Sequence, residues 1–502
     1  MTVEPDFSAF AATFEAGRPQ VLWTTLHSDL ETPVSAMLKL SSGRTNCFLL
    51  ESVEGGANRG RYSFIGLEPD LIWRAFGDKA EVNTTALADK NAFEPCSGGV
   101  IDSLRTIINY SRIDLPESLP PMAAGLVGYM SYDMVRLFER LPGGNPDVIG
   151  VPDGVFVRPT VVAVFDNVED AIKIITPVRP GDGAADAKAA YESAAKRLED
   201  TVVRLNGPMP PEANKAGAEP LTVDPEKHSN MSRADFHAMV EKGKEYIFAG
   251  DIFQVVLSQR FAVPFALPAF DLYRALRRLN PSPFLFFLDF DGFSIVGSSP
   301  EILVRVRNGT VTIRPIAGTR PRGKTKQEDR ALADDLLGDP KELSEHLMLL
   351  DLGRNDVGRV AKVGTVTVTA QNIIEYYSHV MHIVSNVEGD LDPKFDAMDA
   401  LIAGFPAGTV SGAPKVRAME IIDELEPEKR SFYAGCIGYF GADGEMDTCI
   451  TLRTGLVKDG TLYVQAGGGI VADSDPEAEY QESCNKARAL IRAAEEAVKT
   501  AG

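Results

Sequence analysis

Two Asx-Gly turns in series constrain the middle of this chain more than any other feature. Phe284–Phe290 runs into Asp291-Gly292 and out through Phe293–Val296, and Leu303–Arg307 runs into Asn308-Gly309 and out through Val311–Ile316. An Asx-Gly connection suits the right-handed twist of an antiparallel pair, so each run predicts a hairpin. Hairpins in succession are incompatible with a doubly wound parallel sheet, in which each strand is followed by a helical crossover.

Around the hairpins, strands and helices alternate irregularly. Residues 1–20 read as a short helical lead, and 21–175 as strands broken by turns, among them Cys47–Leu50, Tyr62–Ile65, Ile72–Phe76 and Val155–Phe165. Ala184–Leu205 is rich in alanine and charge and suits a helix. Residues 206–230 carry Pro, Gly, Ala and polar residues without periodicity and read as a linker. Ser232 then caps a helix running to about Ala249. Further strands are expected at Ile252–Val263, Thr365–Thr369, Val380–Val387 and near 433–441, 446–456 and 461–470. Helices are expected at Lys326–Leu337, Lys341–Asp351, Asp396–Ile402, Pro414–Glu424 and Pro476–Val498. The pattern predicts an α+β chain divided into 1–205, a linker at 206–231, and 232–502.

Composition narrows the partners. Against 51 basic residues stand 71 acidic ones, a net charge of −20, which repels nucleic acid and anionic membrane. Neither is an expected partner, and any anionic ligand must be held by local groups. The five cysteines are scattered, with no Cys-x-x-Cys pair, as in reduced cytoplasmic proteins. The first residues are acidic and lack the apolar core of a secretory signal, and no apolar run reaches membrane-spanning length.

Two Glu-x-x-Glu pairs, Glu342 with Glu345 and Glu479 with Glu482, lie in expected helices. At i, i+3 spacing both carboxylates of a pair leave one helical face. Brought together, four carboxylates demand a hard cation with oxygen ligands, above all Mg²⁺. With this many acidic residues, chance alone supplies roughly ten such pairs, so solvated faces are the alternative reading. Three glycines at Gly467, Gly468 and Gly469 can present N–H groups to an anion, or form a flexible turn. Arg453 suits a carboxylate, or points outward from a strand. Tyr433 can donate to the same kind of group. His382 is a core histidine or an acid–base group. His379, three residues earlier, faces the other side of the same strand. Thr319 and Thr409, each after a glycine, position a ligand or close a turn, and Glu301, beside a proline, is a proton donor or a surface acid.

Together these segments resemble the chorismate-utilising enzymes. The likeness runs through SIVGSSPEILVRV, IRPIAGTRPRG, EHLMLLDLGRNDVGRV, SHVMHIVSNV, FPAGTVSGAPKVRAMEIIDELEP, YAGCIGYFG and QAGGGIVADSDPEAEYQE, in that order. CFLLES and RYSFIG in the first half resemble the regulatory half of the anthranilate-forming members. The resemblance implies two large antiparallel β-sheets packed as a sandwich with surrounding helices. It implies Glu345 and Glu482 as Mg²⁺ ligands, with Glu342 and Glu479 acting through water. Gly467, Gly468 and Gly469 would meet a substrate carboxylate, Arg453 and Tyr433 the enolpyruvyl carboxylate, and Gly318-Thr319 the ring. Glu301 would donate a proton to the leaving hydroxyl, with His382 and Thr409 assisting.

Within the family some members carry a nucleophilic or water-activating lysine. The matching positions here are Ala317 and Gln254, which favours attack by ammonia and the formation of anthranilate and pyruvate. Residues 1–205 would be regulatory and 232–502 catalytic. Tryptophan, the pathway product, is the expected inhibitor, held by Glu51, Ser52, Arg61, Pro283, Phe284, Leu285, Ile437, Gly438 and Tyr439. No cysteine here sits in the Gly-rich turn of a glutaminase. Ammonia would come from a separate glutamine amidotransferase subunit, component II.

Overall fold

The computed structural model describes residues 1–54, 58–181, 183–211, 221, 223–377 and 380–501. Part of the expected linker, 212–220 and 222, lies outside the described residues, as does His379. Both Asx-Gly hairpins form. Phe284 pairs with Ser299 down to Phe290 with Phe293, and Arg305 with Thr312 down to Arg307 with Thr310. Gly292 and Gly309 take up the left-handed backbone the turns require, with φ of 98° and 73°.

The strands join into one hydrogen-bonded network of 21. Its centre is a long antiparallel pair, Asn58–Phe76 against Gly154–Asp166, paired from Tyr62 with Asp166 to Ala75 with Gly154 with one register shift between Pro69 and Leu71. Two arms leave it. One continues through Gly125–Met130, Cys436–Gly441, Met446–Ile450, Ile302–Arg307, Thr310–Ile313 and Val380–Asp390. The other runs through Cys47–Glu54, Phe284–Phe290, Phe293–Ser299, Thr454–Lys458, Thr461–Ile470 and Gln254–Pro264. The arms face each other across an apolar layer in which Tyr129, Ile437, Tyr439 and Cys449 of one meet Phe286, Leu288, Ile295 and Leu456 of the other. The two sheets of the expected sandwich are therefore continuous through their shared central pair. First-half strands also lie inside the same network as second-half strands, for Leu285 pairs with Glu51 and Cys436 with Met130.

Each acidic pair rides a helix packed on a different arm. Pro340–Gly358 lies on the Ile316–Pro321 and Val380–Asp390 strands, and Pro476–Ala501 on Thr461–Ile470. Both helices begin with proline, which suits the first helical position. Asp339 caps the first, accepting from the N–H groups of Lys341 and Glu342, and Asp475 accepts from Ala478 N–H at the start of the second. Glu342 and Glu479 therefore stand in first turns, where the positive end of the helix favours carboxylates.

Three local expectations change. The strand expected over 446–456 is broken after Ile450 and resumes at Thr454, because Thr451 bonds back to Gly435 and Phe432. Arg453 sits in that break with φ of 49°, not in a strand interior. The glycine run does end the strand expected near 461–470, in register from Gly467 with Ser258 to Gly469 with Val256. Tyr433 lies in the turn before Cys436, where the first strand of the C-terminal group begins. Among the described residues no helix is long and apolar enough to cross a membrane.

Candidate active site

A cavity of about 700 Å³ opens where the two acidic helices approach the ends of both arms. Its wall includes Glu301, Gly318, Thr319, Glu342, Glu345, His382, Thr409, Tyr433, Arg453, Gly467, Gly469, Glu479 and Glu482. The structure thus brings together nearly every residue expected to serve catalysis, substrate or metal. Gly468 is the exception.

The glycine strand explains why. Gly467 turns its carbonyl to Lys486 Nζ, 2.9 Å away, and its N–H toward the Tyr433 hydroxyl, so its polar backbone points off the open edge. Alternation along a strand sends Gly469 the same way and Gly468 toward its paired neighbour. Gly468 contributes space instead. A Cβ there would fall 2.7 Å from Glu479 Oε2 and 3.6 Å from Glu482 Oε1. Gly318, at φ of 68°, does the same on the other side, since a Cβ would lie 3.0 Å from Glu342 Oε2.

Each carboxylate has a protein partner. Glu342 accepts from Arg320 at 2.9 Å, Glu345 from Gln254 Nε2 at 3.2 Å, Glu479 from Ser474 at 2.7 Å, and Glu482 from Lys486 at 2.7 Å. No group of three or more acidic, His or Cys side chains is closed into a ligand cluster among the described residues. Burial raises the carboxyls of Glu345 and Glu479 above their ordinary range, and the charges of neighbouring acids add to it: Glu342 and Glu482 act on Glu345, and Glu482 acts on Glu479. The two helices therefore hold their acids close enough to repel. A hard cation relieves that repulsion, and the all-oxygen donor set suits one. Lys486 is a cavity residue that sequence reasoning passed over. Its signal was an i, i+4 acid–lysine pair with Glu482.

Glu301 and His382 line the same cavity. Glu301 is buried, and Thr409 Oγ1 donates to its Oε1 at 3.0 Å. Burial pushes its carboxyl up to about 8, against the lowering effect of Thr409 and Arg453, so it carries a proton at neutral pH. His382 Nδ1 stands 2.9 Å from the Gly318 carbonyl and 3.2 Å from Thr319 Oγ1, with the ring edge-on to Tyr377. A carbonyl only accepts, so Nδ1 carries the ring proton and Nε2 a bare lone pair. Burial pushes the imidazole down to about 4, which keeps it neutral. Arg453 lines the cavity without a hydrogen-bonded or ion-paired partner among the described residues, although Glu301 and Tyr377 lie near enough to act on it. Gln254 gives its amide to Glu345 and leaves its buried carbonyl oxygen unpartnered.

The residues expected around an inhibitor gather elsewhere. Leu50, Phe284, Ile437 and Tyr439 border the apolar layer between the arms. Pro283 and Leu285 flank Phe284, and Gly438 is pressed so tightly to the next strand that a Cβ would lie 2.1 Å from the Asp447 carbonyl. Ser52 packs on the Gly60 backbone. Glu51 is buried and accepts from Tyr273 and from Arg277 at 2.6 and 2.9 Å. Arg61 points to the surface, bound to Asp166 and Glu169.

A model of the chorismate binding enzyme family matches residues 46–492, and the chain belongs to that family. It is 59% identical to anthranilate synthase component 1 of Cereibacter sphaeroides over 98% of this chain and 97% of that one. It is 49% identical to anthranilate synthase component 1 of Pseudomonas putida, over 93% of each. Among solved structures, anthranilate synthase component I from Streptococcus pneumoniae superposes with a TM-score of 0.77 at 38% identity, over 93% of this chain and 99% of that one.

Proposed function

We propose that this chain converts chorismate and ammonia to anthranilate, pyruvate and water, the lyase step at the head of tryptophan synthesis. The reading rests on one observation above the others. A proton-bearing carboxyl, Glu301, and a neutral imidazole with a free Nε2, His382, share a cavity whose nucleophile positions hold Ala317 and Gln254 instead of lysine. Ammonia itself then attacks C2 of the ring. Glu301 gives its proton to the departing C4 hydroxyl, which leaves as water. The new C2 ammonium loses a proton, which restores Glu301. His382 Nε2 takes the C2 proton as the bond from ring C3 to the enolpyruvyl oxygen breaks and passes it to the methylene carbon of the departing group, which becomes pyruvate while the ring becomes aromatic. Thr409 holds Glu301 in place, and Thr319 with the Gly318 carbonyl holds His382. Arg453 and the Tyr433 hydroxyl take the enolpyruvyl carboxylate, and Gly467 and Gly469 N–H groups the other. Near-full-length likeness to two component 1 enzymes supports this assignment.

Mg²⁺ would be held by Glu345 and Glu482, with Glu342 and Glu479 behind them. When bound it supplies a positive anchor for the ring carboxylate and offsets the charge of four acids. Ammonia would come from a glutaminase partner, component II. Residues 1–205 would form the regulatory part, with tryptophan held between Glu51, Ser52 and Arg61 of that part and Phe284 and Tyr439 of the catalytic part. The test is direct: purified protein with chorismate, ammonium and Mg²⁺ should form fluorescent anthranilate. No product, a para-amino product or isochorismate overturns the assignment. Loss of tryptophan inhibition in Ser52→Phe tests that inhibitor site separately.

A further inference from the structure

One residue beyond Glu345, on the same helix, His346 points the other way. Glu342 and Glu345 line the cavity, while His346 is fully buried against the sheet. Its Nε2 lies 2.6 Å from the hydroxyl of Ser385, itself fully buried on the Val380–Asp390 strand. That strand alternates: His382 faces the cavity, while Met381 and Ile383 pack with Leu343 of the helix, and Ser385 shares their face. The Ser385 oxygen also accepts from Asn372 N–H at 3.0 Å. Asn372 has φ of 54° and sits where the Thr367–Tyr376 strand loses register. One hydroxyl therefore joins the metal-side helix, the strand carrying His382 and the irregular strand beside it.

We infer that His346 is a positioning residue, which through Ser385 sets the roll of the Pro340–Gly358 helix and so aims Glu345 relative to His382. This rests on the magnesium reading above. The hydrogen-bond bookkeeping supports it. Ser385 accepts from Asn372 and spends a second bond on His346 Nε2, whichever of the two carries the proton. The other ring nitrogen, Nδ1, is buried and has no partner among the described residues. An apolar side chain would fill the space without stranding a polar nitrogen, so the imidazole contributes direction and not burial. Direction matters here. At a helix radius of about 5–6 Å, a roll of about 20° carries a carboxylate through about 2 Å, as far as a whole Mg–O bond.

The experiment titrates Mg²⁺ alone into metal-free protein by calorimetry, for the wild type, His346→Leu, Ser385→Ala and Ser385→Thr, with a thermal melt of each. The expected result is a Kd weakened about 10–100-fold in His346→Leu and Ser385→Ala. Ser385→Thr, which keeps the hydroxyl, should stay near wild type. His346→Leu should melt no lower than wild type. If the wild type binds Mg²⁺ and the Leu and Ala variants bind it equally well, the positioning role is overturned. Lower melting with unchanged Kd overturns it too, since that is what a purely structural tie gives. No saturable binding by the wild type overturns the metal reading itself, and this inference with it. Should His346→Leu fail to fold, the Ser385 pair decides.

Discussion

The cavity and the apolar layer between the arms treat polar groups in opposite ways. Among the described residues, Arg453 in the cavity has no bonded partner for its guanidinium, Gln254 keeps a bare carbonyl, and His382 keeps a bare Nε2. Beside the apolar layer Glu51 is gripped by Tyr273 and Arg277, and Arg61 is tied to Asp166 and Glu169. Unspent hydrogen-bonding capacity in a concave, half-buried site is capacity reserved for a ligand. Charges already paired mainly hold the frame. The difference places Glu51 in a structural role first: it ties the Cys47–Glu54 strand to the Ala269–Leu279 helix, which packs on the helix bearing Glu479 and Glu482.

The contrast can be broken most forcefully at Glu301. Replacing it with glutamine keeps the shape and removes the transferable proton, so kcat for anthranilate formation should fall by about 10²–10⁴, with chorismate binding little changed. An unaffected kcat would remove Glu301 from the chemistry. Next in size is Arg453→Met, which should raise KM for chorismate about 10–100-fold through loss of a charged hydrogen bond. Arg453→Lys should recover only part of this, for lack of the guanidinium fork.

The pH dependence gives a smaller and graded effect. Glu301 must be protonated, and its raised carboxyl titrates near 8. At constant free ammonia kcat/KM should therefore be flat near neutrality and fall about tenfold per unit above that point. His382, depressed to about 4 by burial, adds no break above pH 5. A profile rising through pH 8 would exclude Glu301 as the acid. The smallest catalytic effect belongs to Glu51→Gln. It strands Arg277 and should lower stability by about 3 kcal/mol in chemical denaturation, yet leave uninhibited kcat within about twofold. A larger drop in kcat would join the two regions more tightly than their hydrogen bonds indicate.

Much of this was legible in the chain. Ser232 does cap the helix that starts at Arg233, because capping is a matter of a few consecutive residues. The strand at Val380–Asp390 and the closing helix at Pro476–Ala501 end within a few residues of expectation. The glycine run ends the strand expected near 461–470. What the sequence did not give is the reason for Gly468, whose absent side chain leaves space for carboxylates of a neighbouring helix. Lys486 was missed because an i, i+4 pair is ordinary until its helix meets a cavity.

The amino-acid order alone determined the hairpins, the caps, the two acidic faces and the family, all set by neighbours within a few positions or by whole motifs. Only the tertiary structure decided the rest. Glu301 holds a proton because residues more than a hundred positions away bury it beside Thr409. Among the described residues the Arg453 guanidinium is unpaired and Glu51 is bound because strands from both halves meet where they do. Burial and pairing depend on distance in space, and the linear sequence records only distance along the chain.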